Sequence, residues 1–564
     1  MANKAAIIGI SSILLVAMVV AIAVGVTRKN SDSSGGGGSS GGGGGNLAAS
    51  NKAVTAICQP TDYKDTCQHT LDKAAGNISD PTQLIKIAFN VTKNYIAEAM
   101  KKSDLLQQAE KDPRTYDAYS NCKEMLEFSI DDLEKSINRI GTFDLSGLDS
   151  YLSDLKTWLS ALITYEQTCL DGFENTSTNA AEKMKNVLKV SGELSRNALA
   201  MLDEVTKALP AEFTAGSSQR RLLSADGEIP SWVDGGQRRL LETNNGPLTY
   251  NINSLRPNVV VGANAQFKTI NDALKAIPED NNSTFVIYVE AGVYNEVVRI
   301  TKNMPYVALI GAGVGVTKIT GRRNFADGVK TIATSTVAVE GEGFFTKDIT
   351  YENSAGPEGH QAVALRVNAD RSIIYNCNIE GFQDTLYAHS KRQLYVGCTI
   401  TGTIDFIFGD AEAVFQNCKM IIRRPGPNQS CMVTAQGRTY KKQTTGFAIQ
   451  NCQIFAEADF RISGAKAYLG RPWKELSRTI IMTSDINDIQ PEGWAPWAGD
   501  LYLNTLYYAE FGNTGPGANT AMRVNWPGYQ RTFTAQQAAQ FTAATFIDSE
   551  SWARPTGVPF KAGL

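Results

Sequence analysis

Histidine is scarce in this chain of 564 residues, in which only His69, His360 and His389 are present. So few histidines exclude a multi-histidine metal centre. No serine in a nucleophile-elbow motif accompanies His360 or His389, which disfavours a serine hydrolase. The chain also lacks acidic loops with calcium-ligand spacing and Cys/His sets suited to zinc, so we expect no metal and no other cofactor. These absences direct the search for catalytic groups towards carboxylates.

Basic charge is not in excess either. The formal net charge is −3, while 43% of the residues are hydrophobic and 20% are charged. This composition is typical of a globular protein, so it excludes collagen-like and wholly disordered chains and argues against a nucleic-acid partner. At about 100–200 residues per domain, the length predicts three or four units, or one large repetitive domain with smaller ones.

The N-terminal residues 1–30 predict entry into the secretory pathway. No charged residue lies between Ala5 and Val26, a stretch long enough to span a bilayer. Because no A-x-A cleavage site follows, an uncleaved signal-anchor competes with a signal peptide, and a buried core helix is the weaker alternative. Residues 31–46 form a Gly/Ser linker too flexible to fold. Sequons of the N-x-S/T type are compatible with export, and they begin at Asn77, Asn90, Asn175, Asn281, Asn282 and Asn428.

Residues 47–210 have helical periodicity and predict an all-α domain, an antiparallel four-helix bundle. Its amphipathic runs are Pro81–Met100, Glu124–Ile140, Leu148–Leu162 and Ala180–Leu202. Ser79 or Asp80 is the expected N-cap ahead of Pro81 at the first helical position.

Cysteines in this half predict disulfides, which suit an exported chain. The short segment between Cys58 and Cys67 suits a loop or hairpin, and Cys122 and Cys169 can join helices.

The following residues, 211–247, predict a processing linker. The sequence Arg-Arg-Leu-Leu occurs there twice, beginning at Arg220-Arg221 and again at Arg238-Arg239. A dibasic site in an exposed linker of a secretory protein is a candidate for proteolysis. One copy could equally be a solvated basic patch, but two copies between unlike halves favour cleavage.

Residues 248–564 change to short β runs with an internal repeat. Cys377-x-Ile379, Cys398-x-Ile400, Cys418-x-Met420 and Cys452-x-Ile454 follow one another at steps of 21, 20 and 34 residues, and Lys347-x-Ile349 and Ser484-x-Ile486 extend the series. A repeat near 20 residues without intervening helices predicts an all-β right-handed parallel β-helix. A β-sandwich is the alternative, but its turns would recur at about 8–12 residues without one strand motif.

The repeat also predicts a pair of carboxylates. Asp384 and Asp405 are 21 residues apart, one coil of the solenoid, so both should project from one face of adjacent coils. Nearby aromatic side chains and mutual repulsion should make one of them hold its proton to a higher pH. Gln361 and Gln383, 22 residues apart, should join that face and can donate hydrogen bonds to an oxyanion. For either aspartate alone, a turn or ladder residue is the better interpretation; the combination favours catalysis.

Arg471 and Trp473 add a cation beside an aromatic ring. Arginine can orient a carboxylate through two hydrogen bonds, and tryptophan can stack on a sugar ring. A surface turn with a packed Trp explains the motif equally well. Asp410 and Glu412 bring extra acids close behind Asp405 and predict additional negative charge near the cleft.

These motifs resemble those of plant pectin methylesterases made as long pro-proteins. The resemblance covers the chain from about Leu248 to its end. It is carried by Gly356–Arg366, Gln383–Tyr387, Gly402–Gly409 and Leu469–Trp473. The helical half resembles the plant invertase/pectin methylesterase inhibitor domain around Cys58–Cys67, Asn121-Cys122 and Thr168–Phe173.

The resemblance implies a carboxylic ester hydrolase that releases methanol from galacturonate methyl esters of cell-wall pectin. By motif position, Asp405 would be the nucleophile, Asp384 the general acid and then base, and Gln361 and Gln383 the oxyanion site. Further substrate contacts would come from Thr331, Arg471 and Trp473.

The resemblance also implies partners and a location. These partners are pectin, a processing protease and separate inhibitor proteins, and the pro-region would restrain the enzyme until cleavage. The expected location is the extracellular cell wall, with a pro-form anchored in the Golgi membrane, and the catalytic domain should be monomeric. Membrane contact is expected only through the N-terminal segment. In the β-helix, we expect Cys418 to pair with Cys452.

Two other functions remain as alternatives. Paired carboxylates on a β-helix also suit a polygalacturonase-like glycosidase, which would produce reducing ends without methanol. The other is a binding or inhibitor protein in which the bundle is the functional part.

Overall fold

The structure is a computed structural model that describes residues 44–140, 148–174, 176, 179–208, 250–252 and 254–564. The chain divides into two compact units, Met1–Trp232 and Val233–Leu564. The expected membrane segment at 5–26 and both Arg-Arg-Leu-Leu sequences lie outside the described residues. Within the described ranges, no helix combines the length and the apolar character needed to cross a membrane.

The first unit is helical, as its periodicity predicts. Its helices are α1 Gly44–Cys58, α2 Lys64–Ala75, α3 Pro81–Gln108, α4 Pro113–Arg139, α5 Leu148–Asp171 and α6 Ala180–Ala208. Both α3 and α5 contact α4 and α6, so the four long helices close into a bundle. Each predicted amphipathic run falls on one of these four helices, and α1 begins inside the predicted Gly/Ser linker.

Two of the long helices begin with the same cap. Asp80 accepts a hydrogen bond from the backbone N–H of Gln83 at the start of α3, with Pro81 at the first helical position. Asp112 caps α4 in the same way ahead of Pro113. Such a cap contributes about 1 kcal/mol, because it satisfies a backbone donor that the helix leaves unpaired. Of the two predicted candidates, Ser79 and Asp80, the cap is therefore Asp80.

Two disulfides stabilise the bundle unit. Cys58–Cys67 joins the end of α1 to α2, and Cys122–Cys169 joins α4 to α5. Both agree with the predicted loop closure and helix crosslink.

The second unit is built from short strands. In chain order they begin with β1 Val259–Val261, β2 Phe285–Val289, β3 Gly292–Asn295, β4 Val298–Ile300, β5 Val307–Gly311, β6 Thr317–Gly321, β7 Val337–Val339, β8 Phe345–Lys347, β9 Thr350–Asn353, β10 Leu365–Val367, β11 Ser372–Tyr375, β12 Asn378–Glu380 and β13 Leu386–Ala388. They continue with β14 Arg392–Val396, β15 Thr399–Gly402, β16 Ile407–Gly409, β17 Glu412–Gln416, β18 Lys419–Ile422, β19 Cys431–Gln436, β20 Gly446–Gln450, β21 Gln453–Ala456, β22 Ala467–Gly470, β23 Arg478–Met482, β24 Asp485–Ile486, β25 Tyr507–Phe511 and β26 Tyr529–Gln530. The short helices of this unit are α7 Ile270–Leu274, α8 Ala458–Ser463, α9 Ala535–Ala539, α10 Ala543–Phe546 and α11 Ser549–Trp552.

These strands form three parallel sheets of 11, 8 and 7 strands. Strands that follow one another from β11 to β16 lie in different sheets, and β11 pairs with β14, β12 with β15 and β13 with β16. Three strands therefore make one coil, and the coils stack into a parallel β-helix, as the repeat predicts. The outer face of the 11-stranded sheet is covered by α9, α10 and α11.

The repeated strand motif is an interior ladder. Ile379, Ile400, Met420 and Ile454 are paired in register in the eight-stranded sheet and are fully buried. Ile486 continues the ladder, as expected. Ile349 does not, because Tyr351 occupies the position that pairs with Ile379. The predicted Lys347-x-Ile349 repeat is thus two residues out of register.

The predicted Cys418–Cys452 disulfide is wrong. All five cysteines of the β-helix, Cys377, Cys398, Cys418, Cys431 and Cys452, are buried free thiols. The Sγ of Cys418 donates to the carbonyl of Gln416 at 3.2 Å, and that of Cys452 to the carbonyl of Gln450 at 3.3 Å. Each thiol is thus satisfied by the backbone of its own coil, so the cysteines stack as small core residues.

Candidate active site

The two candidate aspartates occupy equivalent turns of adjacent coils. Asp384 lies between β12 and β13, and Asp405 lies between β15 and β16. Because Leu386 pairs with Ile407, the two aspartates, each two residues earlier, are neighbours across the coils. Both have left-handed backbone conformations, with φ of 61° and 51°. Aspartate is one of the few side chains that adopt this region readily, so the residue type fits the turn.

The carboxylates differ in their partners. Both are buried, with 7% of Asp384 and 4% of Asp405 exposed. Arg471 donates two hydrogen bonds to Asp405, from Nε to Oδ1 at 2.8 Å and from Nη2 to Oδ2 at 2.6 Å. This is the bidentate geometry that stabilises an ionised carboxylate. No side-chain hydrogen bond to Asp384 is formed by any of the described residues.

This difference separates the protonation of the two groups. Burial raises the pKa of Asp384 well above the ordinary value, and the negative charge of Asp405 raises it further. Burial also raises the pKa of Asp405, but Arg471 opposes the increase through its charge and hydrogen bonds. The proton is therefore held more tightly by Asp384 than by Asp405, an arrangement that suits one carboxyl as a proton donor and the other as a charged group.

Gln361 and Gln383 lie on the coil turns next to these aspartates. The backbone N–H of Ala362 donates to the carbonyl of Gln383 at 3.1 Å, which places the two glutamines on neighbouring turns. Both are half-buried, and neither side-chain amide has a hydrogen-bond partner among the described residues. Their N–H groups are therefore available to a ligand oxygen.

An aromatic strip runs along the outer face of the seven-stranded sheet beside the aspartates. Tyr387 and Phe408 stack with ring centroids 4.3 Å apart, and Trp473 packs edge-on to Phe408 at 5.9 Å. Gly437 provides the space for Trp473, since a Cβ there would lie 2.7 Å from the indole ring. The strip offers flat apolar surfaces suited to a sugar ring.

Thr331 lies at the start of a 3₁₀ turn beside this strip. Its neighbour Ile332 packs against the cluster that contains Tyr387 and Phe408. Trp497, which the sequence analysis missed, belongs to the same cluster, and the guanidinium of Arg471 lies 4.3 Å over its ring. A second tryptophan in the Gly493–Trp497 turn is the only sequence signal that could have pointed to it.

The extra acids behind Asp405 do not project into the cleft. Asp410 is buried and accepts hydrogen bonds from the side-chain amides of Gln436 and Gln443, at 2.9 and 2.8 Å. Glu412, also buried, pairs with the hydroxyl of Thr444. The charges of both acids raise the pKa of the buried Arg478, against a larger lowering by burial. The negative charge that Asp410 and Glu412 were expected to add to the cleft is therefore buried, and it lies near Arg478.

The two histidines near the motifs are not placed like a catalytic base. His389 is fully buried against Tyr387, with ring centroids 4.5 Å apart, and burial lowers its pKa well below the ordinary value. His360 is exposed at the end of a short 3₁₀ turn. Neither forms a side-chain hydrogen bond to Asp384 or Asp405 within the described part of the chain.

Comparisons with known proteins agree with this architecture. The family model described as Pectinesterase matches residues 258–550, and that described as Plant invertase/pectin methylesterase inhibitor matches residues 52–201. Pectin methylesterase from carrot has a solved structure that superposes with a TM-score of 0.55 and is 47% identical. That similarity covers 55% of this chain and 99% of the carrot chain.

Full-length relatives share both parts. Pectinesterase/pectinesterase inhibitor 28 of Arabidopsis thaliana is 46% identical over 99% of this chain and 74% of its own length. Pectinesterase/pectinesterase inhibitor 58 of the same plant is 46% identical over 100% of this chain and 98% of its own length. This chain therefore belongs to the pectinesterase family, whose members are carboxylic ester hydrolases, and its β-helix follows a pectinesterase-inhibitor-like helical unit.

Proposed function

We propose that the β-helix hydrolyses methyl esters of galacturonate in cell-wall pectin, with Asp405 as the nucleophile. The observation that carries this proposal is the pairing of Asp405 with Arg471 beside an unpaired, buried Asp384. Family membership supports the reaction class, and the aromatic strip supports a sugar substrate.

The proposed reaction has two steps. A carboxylate oxygen of Asp405 attacks the ester carbonyl carbon, and the oxyanion that forms accepts hydrogen bonds from the amides of Gln361 and Gln383. As the tetrahedral intermediate collapses, the carbon–methoxy bond breaks, and Asp384 gives its proton to the leaving oxygen, which departs as methanol. The acyl group is then bonded to Asp405 as an anhydride.

Water completes the cycle. Asp384, now ionised, takes a proton from a water molecule that attacks the acyl carbon. The bond to Asp405 breaks, releasing the galacturonic acid, which loses its remaining proton to solvent, and both aspartates return to their starting states. Arg471 keeps Asp405 ionised and oriented, while Trp473 and Thr331 hold the sugar.

Methanol release from esterified pectin by the processed secreted form tests this proposal, measured from about pH 5 to 9 because the active protonation states are pH-dependent. We expect methanol from the wild type and none from Asp405→Ala, with unchanged circular dichroism. Reducing ends without methanol would instead support the glycosidase alternative. If neither product formed but the intact chain captured a separate enzyme, the inhibitor alternative would be favoured.

We also propose that residues 47–210 are a pro-region that restrains the enzyme until proteolysis in the linker 211–247. The inhibitor-family match to residues 52–201 and the paired Arg220-Arg221 and Arg238-Arg239 sequences support this role. N-terminal sequencing of the secreted enzyme should locate the cut. A variant with all four arginines changed to alanine should retain the bundle and release methanol more slowly. Equal activity of this uncleaved variant would contradict restraint in cis.

We further propose that the chain is exported to the cell wall as a glycoprotein. Among the described sequons, Asn77, Asn282 and Asn428 are exposed and their side chains form no hydrogen bond with the described residues, whereas Asn90 is exposed but its amide is engaged. The amide of Asn281 donates to the carbonyl of Pro305 at 2.7 Å, and that of Asn90 donates to Lys86 within α3. Glycopeptide mass spectrometry should therefore find glycans at the first three positions and not at the other two. Absence of all three glycans from the secreted protein would refute this assignment.

A further inference from the structure

The turn that carries Gln383 and Asp384 is held at its two ends by different residues. At its C-terminal end, the hydroxyl of Thr385 donates to the carbonyls of Phe382 and Thr401, at 3.1 and 3.0 Å. These bonds lie within the same and the next coil. Asp384 has a left-handed conformation, which aspartate tolerates better than most residues but which is still uncommon, so the surrounding contacts help to hold the turn in place.

Arg423 holds the N-terminal end from two coils away. Its guanidinium lies over the ring of Phe382, 4.2 Å from the centroid, and its Nη1 donates to the carbonyl of Gly381 at 3.1 Å. The cation–π contact and the hydrogen bond fix both the side chain and the backbone that directly precede Gln383. Thr385 bonds the carbonyl of Phe382, whereas Arg423 holds the Phe382 ring and the carbonyl of Gly381.

The backbone of Arg423 is itself fixed next to the Asp405 coil. Its N–H donates to the carbonyl of Gly402 at 2.8 Å, at the end of the strand that leads into the Asp405 turn. Its Nε also lies 3.7 Å from Oε1 of Glu457, which limits the rotation of the guanidinium. Arg423 thus connects the segment that leads into Asp405 with the segment that leads into Asp384.

Arg423 does not take part in the chemistry directly. The described contacts of its guanidinium are to Phe382, Gly381 and Glu457, and the partner of Asp405 is Arg471. Any effect on the reaction must therefore pass through the turn.

We propose that Arg423 is a positioning residue for ester hydrolysis, which keeps the Gln383-Asp384 turn aligned with Asp405. This inference rests on the proposed roles of Gln383, Asp384 and Asp405. The adjacent Arg424 offers a matched control, because it is exposed and forms no hydrogen bond or ion pair with the described residues.

The test compares Arg423→Ala with Arg424→Ala in the processed secreted enzyme. Misplacement of a catalytic group by about 1 Å costs up to about a hundredfold in rate, so Arg423→Ala should lower kcat by about tenfold to a hundredfold. KM for pectin and the melting temperature should stay close to those of the wild type, and Arg424→Ala should match the wild type throughout. Equal kcat values for the two alanine variants would overturn the inference.

A double-mutant cycle separates positioning from general destabilisation. Because the Phe382 ring is held through its contact with Arg423, the double variant Arg423→Ala/Phe382→Ala should lose no more kcat than the worse single variant. Additive losses would overturn the inference. Arg423→Lys, which keeps a cation but not the planar fork, should fold and have a kcat between those of the wild type and Arg423→Ala. If Arg423→Ala does not fold, a wild-type kcat in Arg423→Lys overturns the inference.

The pH profile gives a second readout that a purely structural residue would not change. Asp384 faces Asp405 and Arg471, and a loosened turn would admit water to it. Its pKa should then fall towards the ordinary value, so the alkaline limb of kcat should move to lower pH in Arg423→Ala but not in Arg424→Ala. If the alkaline limb of kcat does not move in Arg423→Ala, the positioning role of Arg423 is contradicted. Methanol release by Asp405→Ala would refute the proposed function itself, whatever the Arg423 variants do.

Discussion

Replacing Arg471 with alanine tests how the site keeps one aspartate ionised. Arg471 donates two short hydrogen bonds to Asp405, and side-chain exposure at the pair is only 20% and 6%. Hydrogen bonds to charged groups contribute about 1.5–3 kcal/mol each, so about 3 kcal/mol is a conservative value for the pair. Loss of these bonds removes stabilisation of the charged form, so it raises the pKa of Asp405.

The sign of the expected change follows from the roles of the groups. In the proposed mechanism Asp405 must be ionised to attack, so activity should rise with pH through its pKa on the acidic limb of the profile. Burial raises that pKa and Arg471 opposes the rise, so Arg471→Ala should move the acidic limb of kcat/KM to higher pH. Because 1.36 kcal/mol is a factor of ten, the loss of about 3 kcal/mol should lower the rate by about a hundredfold at a pH below both limbs.

The assay is methanol release against pH for three variants. Arg471→Lys keeps the charge but not the bidentate fork, so its limb should move by less than that of Arg471→Ala. Trp497→Ala removes the ring over which Arg471 lies and should alter KM while leaving the limb in place. If the Arg471→Ala limb stays where the wild-type limb is, Arg471 does not control the ionisation of Asp405, and the reasoning is refuted.

Four other predictions follow from the described contacts. Gly437→Ala should raise KM several-fold with little change in melting temperature, because its Cβ would lie 2.7 Å from the Trp473 ring, and an unchanged KM would contradict the placement of Trp473. Asp384→Asn should abolish turnover yet raise the free energy of unfolding at neutral pH. The reason is that the raised pKa of Asp384 makes the native state lose stability as pH rises above the ordinary value, and denaturant unfolding at two pH values checks the sign. Cys122→Ala should destabilise the bundle by about 4 kcal/mol on chain-entropy grounds, since the disulfide joins residues 47 positions apart, and thermal unfolding measures it. Thiol titration of the denatured, unreduced β-helix should find five free thiols, whereas a count of three would support the Cys418–Cys452 disulfide instead.

Repetition made the β-helix the more predictable part of the sequence. The Cys-x-Ile spacing gave the register of Ile379, Ile400 and Met420 because a parallel coil returns to the same position after each turn. The same motif failed at Ile349, because Lys347 pairs with Tyr375 and Tyr351 with Ile379, which places Ile349 at the Cys377 position. The ladder continues through the longer coils to Ile454 and Ile486, so the recurring residue pattern, not a constant coil length, carries the register.

Side-chain partners were less predictable than positions. The sequence placed Asp384 and Asp405 on adjacent coils, but the contact of Arg471 with Trp497 depends on loops whose course no repeat specifies. Asp410 and Glu412 show the same limit, because their spacing from Asp405 does not say whether an acid side chain points outwards or inwards. In the structure their partners are Gln436, Gln443 and Thr444, all from coils further along the chain.

The solenoid explains how two identical residues can have different roles. Asp384 and Asp405 share a turn, a left-handed backbone and nearly complete burial, so local structure alone would give them similar pKa values. The difference comes from one arginine on a later coil, which reaches Asp405 and forms no hydrogen bond to Asp384. Because the coils stack at about 4.8 Å, the charged Asp405 then raises the pKa of its neighbour. A single asymmetric ion pair on a repeating backbone is therefore sufficient to separate the pKa values of two aspartates, as the proposed acid and nucleophile require without histidine.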